Sequence, residues 1–266
     1  MQKLFSALTD AFRKHGGVLT HRQFDTIVRR SNDAVDETPE TLVFVLQASG
    51  YPIEESDDGY VLRTMVTPWR KARYCIIDIE TNGAKPDSAQ VIEIGAVMWC
   101  DGKVVDRFET FVACAYIPDY ISEITGITPD DLAGAPSRRE ALTRLRAFMG
   151  DAVFTAHNAD FDFSFLNASF ERFGLGSIGN PKLCTIDLAK RTFKSERYGL
   201  AYLRESLNID TPAHHRAYAD ALSAMHVFEK SVQHLPSYVR SADDLIRFST
   251  SSRNERKRKS RENNEQ

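Results

Sequence analysis

The chain has 266 residues, 42% of them hydrophobic, and a net charge of −3. This apolar content excludes disorder throughout and exceeds what one small core requires, which points to two compact units or one with appendages. Cys75, Cys100, Cys114 and Cys184 form no C-x-x-C pair, which excludes the common zinc and dithiol motifs, and the longest aliphatic or aromatic run, residues 42–46, is far too short to span a membrane. With no export signal at the N-terminus, a soluble protein in a reducing, cytoplasmic setting is expected.

Leu4, Leu8, Ala11 and Phe12 recur at helical spacing up to the stop His15-Gly16-Gly17, and Phe24, Ile27 and Val28 predict a second helix. Thr38-Pro39-Glu40 reads as cap, N1 proline and first-turn acid of a third helix that runs to Ser49-Gly50. Two short strands, 51–55 and 60–63, flank the turn Ser56-Asp57-Asp58-Gly59. Three helices and a terminal hairpin give residues 1–68 a small α+β, winged-helix-like pattern. Its third helix, 38–49, has no lysine or arginine, the wing carries Glu54, Glu55, Asp57 and Asp58, and the segment holds seven basic and ten acidic groups. Protein contact or a structural accessory role is therefore expected before direct DNA reading.

Around Thr67-Pro68-Trp69-Arg70-Lys71 a proline and three charges interrupt the apolar pattern, and the boundary is placed there. Residues 69–249 read as a mixed α/β unit. A buried strand spans 74–80, and 91–99 and 103–112 form a hairpin about Asp101-Gly102. Helix 138–149, strand 152–156 and helix 161–173 come next, followed by helical segments at 184–193, 200–207 and 217–234. Residues 250–266 carry six basic side chains and three glutamates, and no apolar residue follows Phe248. A disordered basic tail is predicted, either simply solvated or gripping a phosphate backbone.

Three clusters carry chemistry. Asp78 and Glu80 stand two apart in Cys75-Ile76-Ile77-Asp78-Ile79-Glu80-Thr81, so the period of two puts both carboxylates on one face. They are either two solvated acids at a strand end or a pair that a hard divalent ion neutralises. Asp162, in His157-Asn158-Ala159-Asp160-Phe161-Asp162, sits near a helix N-terminus, where the dipole favours an anion. Asp220 interrupts the apolar face of a late helix, and His215 precedes it on the approaching loop, where it can be a cap, a surface group or a base.

Taken in order, Asp78-x-Glu80-Thr81-x-Gly83, His157-Asn158-x-x-Phe161-Asp162 and His215-x-x-x-x-Asp220 resemble the DnaQ-like 3′–5′ exonucleases, the DEDD family in its histidine variant. The resemblance covers roughly residues 74–232 and extends to Ile124-Thr125-Gly126-Ile127-Thr128 and Cys184-Thr185-Ile186-Asp187-Leu188-Ala189. A tyrosine-variant member would carry Tyr at position 216, which is Arg216, and His214 is the rival for the base. The pattern is similar to that of the proofreading epsilon subunits of bacterial DNA polymerase III.

The resemblance implies an RNase H-like mixed sheet flanked by helices. It implies that Asp78, Glu80, Asp162 and Asp220 hold two Mg²⁺ or Mn²⁺ ions for phosphodiester hydrolysis, with His215 as general base. It also places Thr81, Asn158 and Phe161 beside the terminal nucleotide, and Thr125 and Ile127 along the groove beside its base. The expected partners are a DNA 3′ end and a replicative polymerase subunit, with no membrane. RNA or oligonucleotide trimming by the same fold is the alternative, and a non-catalytic docking protein is the reading from another class.

Overall fold

A computed structural model describes residues 1–31, 38–211 and 215–251. The predicted base rival His214 and all but the first two residues of the basic tail lie outside the described residues. In the first unit, α1 (Gln2–Lys14), β1 (Val18–Thr20), α2 (His21–Arg30), α3 (Pro39–Ala48), β2 (Ile53–Ser56), β3 (Gly59–Leu62) and α4 (Arg63–Val66) follow in order. Its strands form an antiparallel sheet ordered β1-β3-β2. The Thr38 hydroxyl accepts from the Thr41 N–H, Pro39 stands at the first turn and Glu40 supplies the early acid, so α3 starts as its sequence dictates. Leu4, Leu8, Phe12, Phe24, Leu46 and Tyr60 close a separate core. Strand β1 went unpredicted because only Leu19 of its three residues is buried, and Arg63 belongs to a helical turn instead of the second hairpin strand.

The second unit is built on β4 (Tyr74–Thr81). Alternation sends Cys75, Ile77 and Ile79 to one face and Tyr74 and Ile76 to the other. Antiparallel β5 (Val91–Cys100) and β6 (Lys103–Phe111) flank it on one side, and parallel β7 (Val153–Ala156) and β8 (Lys182–Cys184) on the other, giving the order β6-β5-β4-β7-β8. Helix α5 (Asp119–Thr125) follows β6, and α6 (Arg138–Met149) and α7 (Ala159–Arg172) cover the Cys75–Ile77–Ile79 face. Helices α8 (Thr185–Thr192), α10 (Ala217–Val232) and α11 (Ala242–Thr250) cover the opposite face, and α9 (Leu200–Ser206) packs on α10. This is the mixed α/β sheet with flanking helices that was expected. The short α5, β8 and α11 were not anticipated.

The two units interlock. Arg13 donates from Nη2 to the buried Asp243 at 2.8 Å, and Arg146 of α6 donates to Ser49 O at 2.7 Å and to the carbonyls of Leu175, Gly176 and Ser177. Gly179 N–H also donates to Ser49 O, at 2.7 Å. Gly50 closes against Asn180, where a Cβ would lie 2.1 Å from Oδ1. Arg63 pairs with Asp151. Ser49 therefore meets the residues leading into β8 and Arg63 the residue leading into β7, so the first unit sits where the parallel strands begin. The end at which β4 finishes is left open.

Candidate active site

Asp78 and Glu80 continue the β4 face that buries Tyr74 and Ile76, and so point to the side that α10 covers. What brings α10 within reach is Gly95 on β5, directly opposite Asp78 in the register. A Cβ there would lie 2.1 Å from Tyr218 N and 2.2 Å from Ala217 C, so the first turn of α10 rests on bare strand backbone. Asp220, one turn in, is 8% exposed. Asp162, in the first turn of α7, is 3% exposed. The turn before α7 is made by Asn158, left-handed at φ 73°.

The carboxylates crowd one another. Burial, compounded by repulsion from Asp162, Asp220, Glu80 and Glu93, holds the Asp78 carboxyl well above the usual range. Burial and repulsion from Asp220 and Glu93 push Glu80 to about 7, with Arg216 opposing. Burial raises Asp162 to about 7 against backbone hydrogen bonds at Asp162 and Ile79. One ligand atom from each of Glu80, His215 and Asp220 lies within 4.8 Å of the others. His215 is exposed and left-handed at φ 57°, two residues before α10. Two arginines approach the cluster: Arg204 Nη1 stands 3.4 Å from Asp220 Oδ1, and Arg216 is held by Glu93. Clustered carboxylate oxygens with raised proton affinity form the donor set that hard divalent cations take, so the residues fit such ions.

Glu93 was missed in the sequence reading. It is 1% exposed and accepts from Arg216 Nε at 3.0 Å, Arg216 Nη2 at 2.9 Å and Ala217 N–H at 3.0 Å. It thereby caps the start of α10 from β5 and fixes the approach of both His215 and Asp220. The clue was present: Glu93 interrupts an apolar strand, Val91-Ile92-Glu93-Ile94-Gly95, just as Asp78 and Glu80 interrupt theirs.

His157 does not line the cluster as a titrating group. Its Nδ1 meets Thr185 Oγ1 at 2.8 Å, its Nε2 meets Tyr198 O at 2.9 Å, and burial lowers its pKa to about 4, so it is a neutral strut. The carbonyl of Tyr198 requires the proton on Nε2, which leaves Nδ1 to accept from Thr185.

The expected substrate contacts divide. Asn158 and Phe161 are exposed, and the Phe161 ring packs on Phe165 at 5.1 Å. Thr81 is buried and donates its hydroxyl to Gly83 O at 2.8 Å. Thr125 and Ile127, expected along the groove, are instead 5% and 1% exposed. The Thr125 hydroxyl donates to Ile121 O, and Ile127 packs with Ile92, Ile117 and Leu132. Neither offers a side-chain surface to a base, whereas Ile124 beside them is exposed.

The class of protein is given by its similarity to known proteins. Residues 75–228 match the family model described as Exonuclease. The chain is 37% identical over 184 residues to the PolC-type DNA polymerase III of Staphylococcus haemolyticus, covering 67% of this chain and 13% of that protein. It is 34% identical over 194 residues to the PolC-type polymerase III of Staphylococcus aureus, covering 72% and 13%. The chain thus spans about an eighth of the length of these relatives. Among solved structures, exonuclease I superposes with a TM-score of 0.56 at 17% identity, over 62% of this chain and 42% of that one. The E. coli exonuclease I complex with a dT13 oligonucleotide gives 0.55 at 17% identity, over 61% and 41%. The chain belongs to the Exonuclease family and carries a DnaQ-like 3′–5′ exonuclease domain.

Proposed function

We propose that this protein is a metal-dependent exonuclease that removes nucleotides from DNA 3′ ends and serves a replicative polymerase as a proofreading activity. One observation carries the reading: Asp78, Glu80, Asp162 and Asp220, from three separate elements, repel one another in a site that also admits His215. Folding acids together against their own repulsion is costly unless cations repay it. Asp78, Glu80, Asp162 and Asp220 would hold two Mg²⁺ or Mn²⁺ ions. Such ions supply compensation for the charge that develops on the phosphodiester and acidify the attacking water.

The chain's own groups do the rest. His215, exposed at the entrance to α10, takes a proton from that water. Glu93 keeps α10 seated, so that His215 and Asp220 stay in register with β4. Phe161 offers one face of its ring to a terminal base, beside the exposed amide of Asn158. The polymerase role is supported by the PolC-type relatives, and the DNA substrate by the oligonucleotide complexes of exonuclease I. Among the described residues no helix is long and apolar enough to cross a membrane.

Gel-resolved digestion of 5′-labelled single-stranded DNA and matched RNA with Mg²⁺ or Mn²⁺, alongside Asp78→Ala and His215→Ala, tests the reading. A ladder shortening from the 3′ end on DNA, abolished by Asp78→Ala and slowed by His215→Ala, is expected. Preference for RNA would transfer the protein to RNA trimming, and no metal-dependent shortening of either would remove the catalytic reading.

A further inference from the structure

The first unit is acidic in sum, yet its charges are sorted. Four of its ten acids, Glu54, Glu55, Asp57 and Asp58, lie on the β2–β3 hairpin, whereas α1 and α2 line a groove of about 920 Å³ that includes four cations. Helix α1 contributes Lys3 and Lys14, eleven residues and so about 16 Å apart along the axis. Helix α2 contributes Arg22 and Arg30, about 12 Å apart. All four are exposed, and among the described residues they make no ion pair. Among the described residues the one acid lining the groove, Asp10, faces Arg13 Nη1 at 3.6 Å. Lys14 and Arg30 also offset their helix dipoles, but Lys3 and Arg22, in first turns, do not, so helix stability alone does not account for the set.

We propose that this groove binds the phosphodiester backbone of a nucleic acid, independently of sequence. Its apolar lining is small, Ala7, Ala11 and Ile27, and among the described residues no Phe, Tyr or Trp lines it. It therefore has neither the deep apolar pocket that anchors a protein partner nor a platform for stacking bases. What it offers is a row of point charges, which a regularly charged backbone satisfies. Helix α3, where the winged-helix pattern would put the reading surface, instead exposes Phe44 and has no cation. The acidic total of this unit had argued against nucleic-acid contact, but α1 and α2 themselves carry six basic and two acidic residues.

The preference for a nucleic acid over other polyanions rests on the exonuclease reading. The first unit meets the start of β4, Asp78 and Glu80 stand four and six residues further along it, about 13 and 20 Å, and none of the site's carboxylates lines the groove.

The test needs no catalysis. Binding of a labelled single strand of roughly 30 nucleotides and of the matching duplex is followed by anisotropy in EDTA across a salt series, using the full chain. In Lys3→Gln/Lys14→Gln/Arg22→Gln/Arg30→Gln the slope of log K against log salt should flatten by about 0.7 per cation on single strand, or about 0.9 on duplex. The arm that shows the loss identifies the form bound. A control neutralising Lys103, Arg107, Lys190 and Arg240, all exposed elsewhere, should retain the wild-type slope. An unchanged slope in the groove variant, or an equal fall in the control, overturns the proposal. So does a groove variant that loses poly-glutamate binding while keeping its oligonucleotide affinity. Wild-type digestion with metal reports on the exonuclease reading separately, so the two can fail independently.

Discussion

Replacing Glu93 by alanine should disable the site without touching any proposed metal ligand. The change strands the Ala217 N–H, leaves Arg216 without its acid, and opens the space where α10 meets β5. Truncating one partner of a buried ion pair costs about 3–5 kcal/mol. Two features reduce this: the Arg216 side chain is 39% exposed and keeps its water, and removing Glu93 relieves repulsion on Asp78 and Glu80. A loss of about 2–3 kcal/mol remains, which for a chain of this size is roughly 5–10 °C in Tm. Thermal unfolding followed by circular dichroism in EDTA measures it. Glu93→Gln keeps an acceptor for Ala217 but turns a neutral group toward Arg216, and should fall between. Exonuclease kcat should drop with the loss of stability, because His215 and Asp220 both depend on where α10 begins. An unchanged Tm for Glu93→Ala, or a lowered Tm with full activity, would refute this account of how the helix is seated.

Gly95→Ala puts a methyl group against the backbone of Tyr218, which no rotamer change relieves, so a loss of about 3 kcal/mol or more and near-complete loss of activity are expected by the same assays. Glu80 and Asp162 carry folded pKa values of about 7, raised from ordinary carboxylate values near 4. The folded state therefore binds more protons than the unfolded state between those limits, and metal-free stability should decline as pH rises from about 4 to about 7. Saturating Mn²⁺ should raise Tm more at pH 7.5 than at pH 5.5. His215→Ala should lower kcat on the order of a hundredfold or more, with Asp162→Asn as the comparison for loss of a ligand. Single-turnover assays separate that from substrate binding.

The acids were legible because each breaks a local pattern: Asp78 and Glu80 an apolar strand, Asp220 an apolar helix face. Their order along the chain then supplied the family. Glu93 breaks a strand equally, but its partners Arg216 and Ala217 lie more than a hundred residues away, and a contact at that range leaves no local trace. Strands β1 and β8 have three residues each, too few to establish a period of two. Thr125 and Ile127 were assigned to the groove by analogy alone, while Ile127 is buried by packing with Ile92 and Leu132 and the Thr125 hydroxyl is turned to Ile121 O. The charge sum over residues 1–68 concealed the basic α1–α2 groove, because a total carries no geometry.

The central claim is that these acids are folded together to hold divalent cations. Titration calorimetry with Mn²⁺ near pH 7, in two buffers of different ionisation enthalpy, tests it most directly. Glu80 and Asp162 with pKa values of about 7 are part-protonated there, so binding must expel protons, on the order of one per chain, and the observed heat must depend on the buffer. Asp162→Asn should weaken binding and reduce the proton release. Folded protein that takes up no Mn²⁺, or takes it up with the same heat in both buffers, would contradict the account.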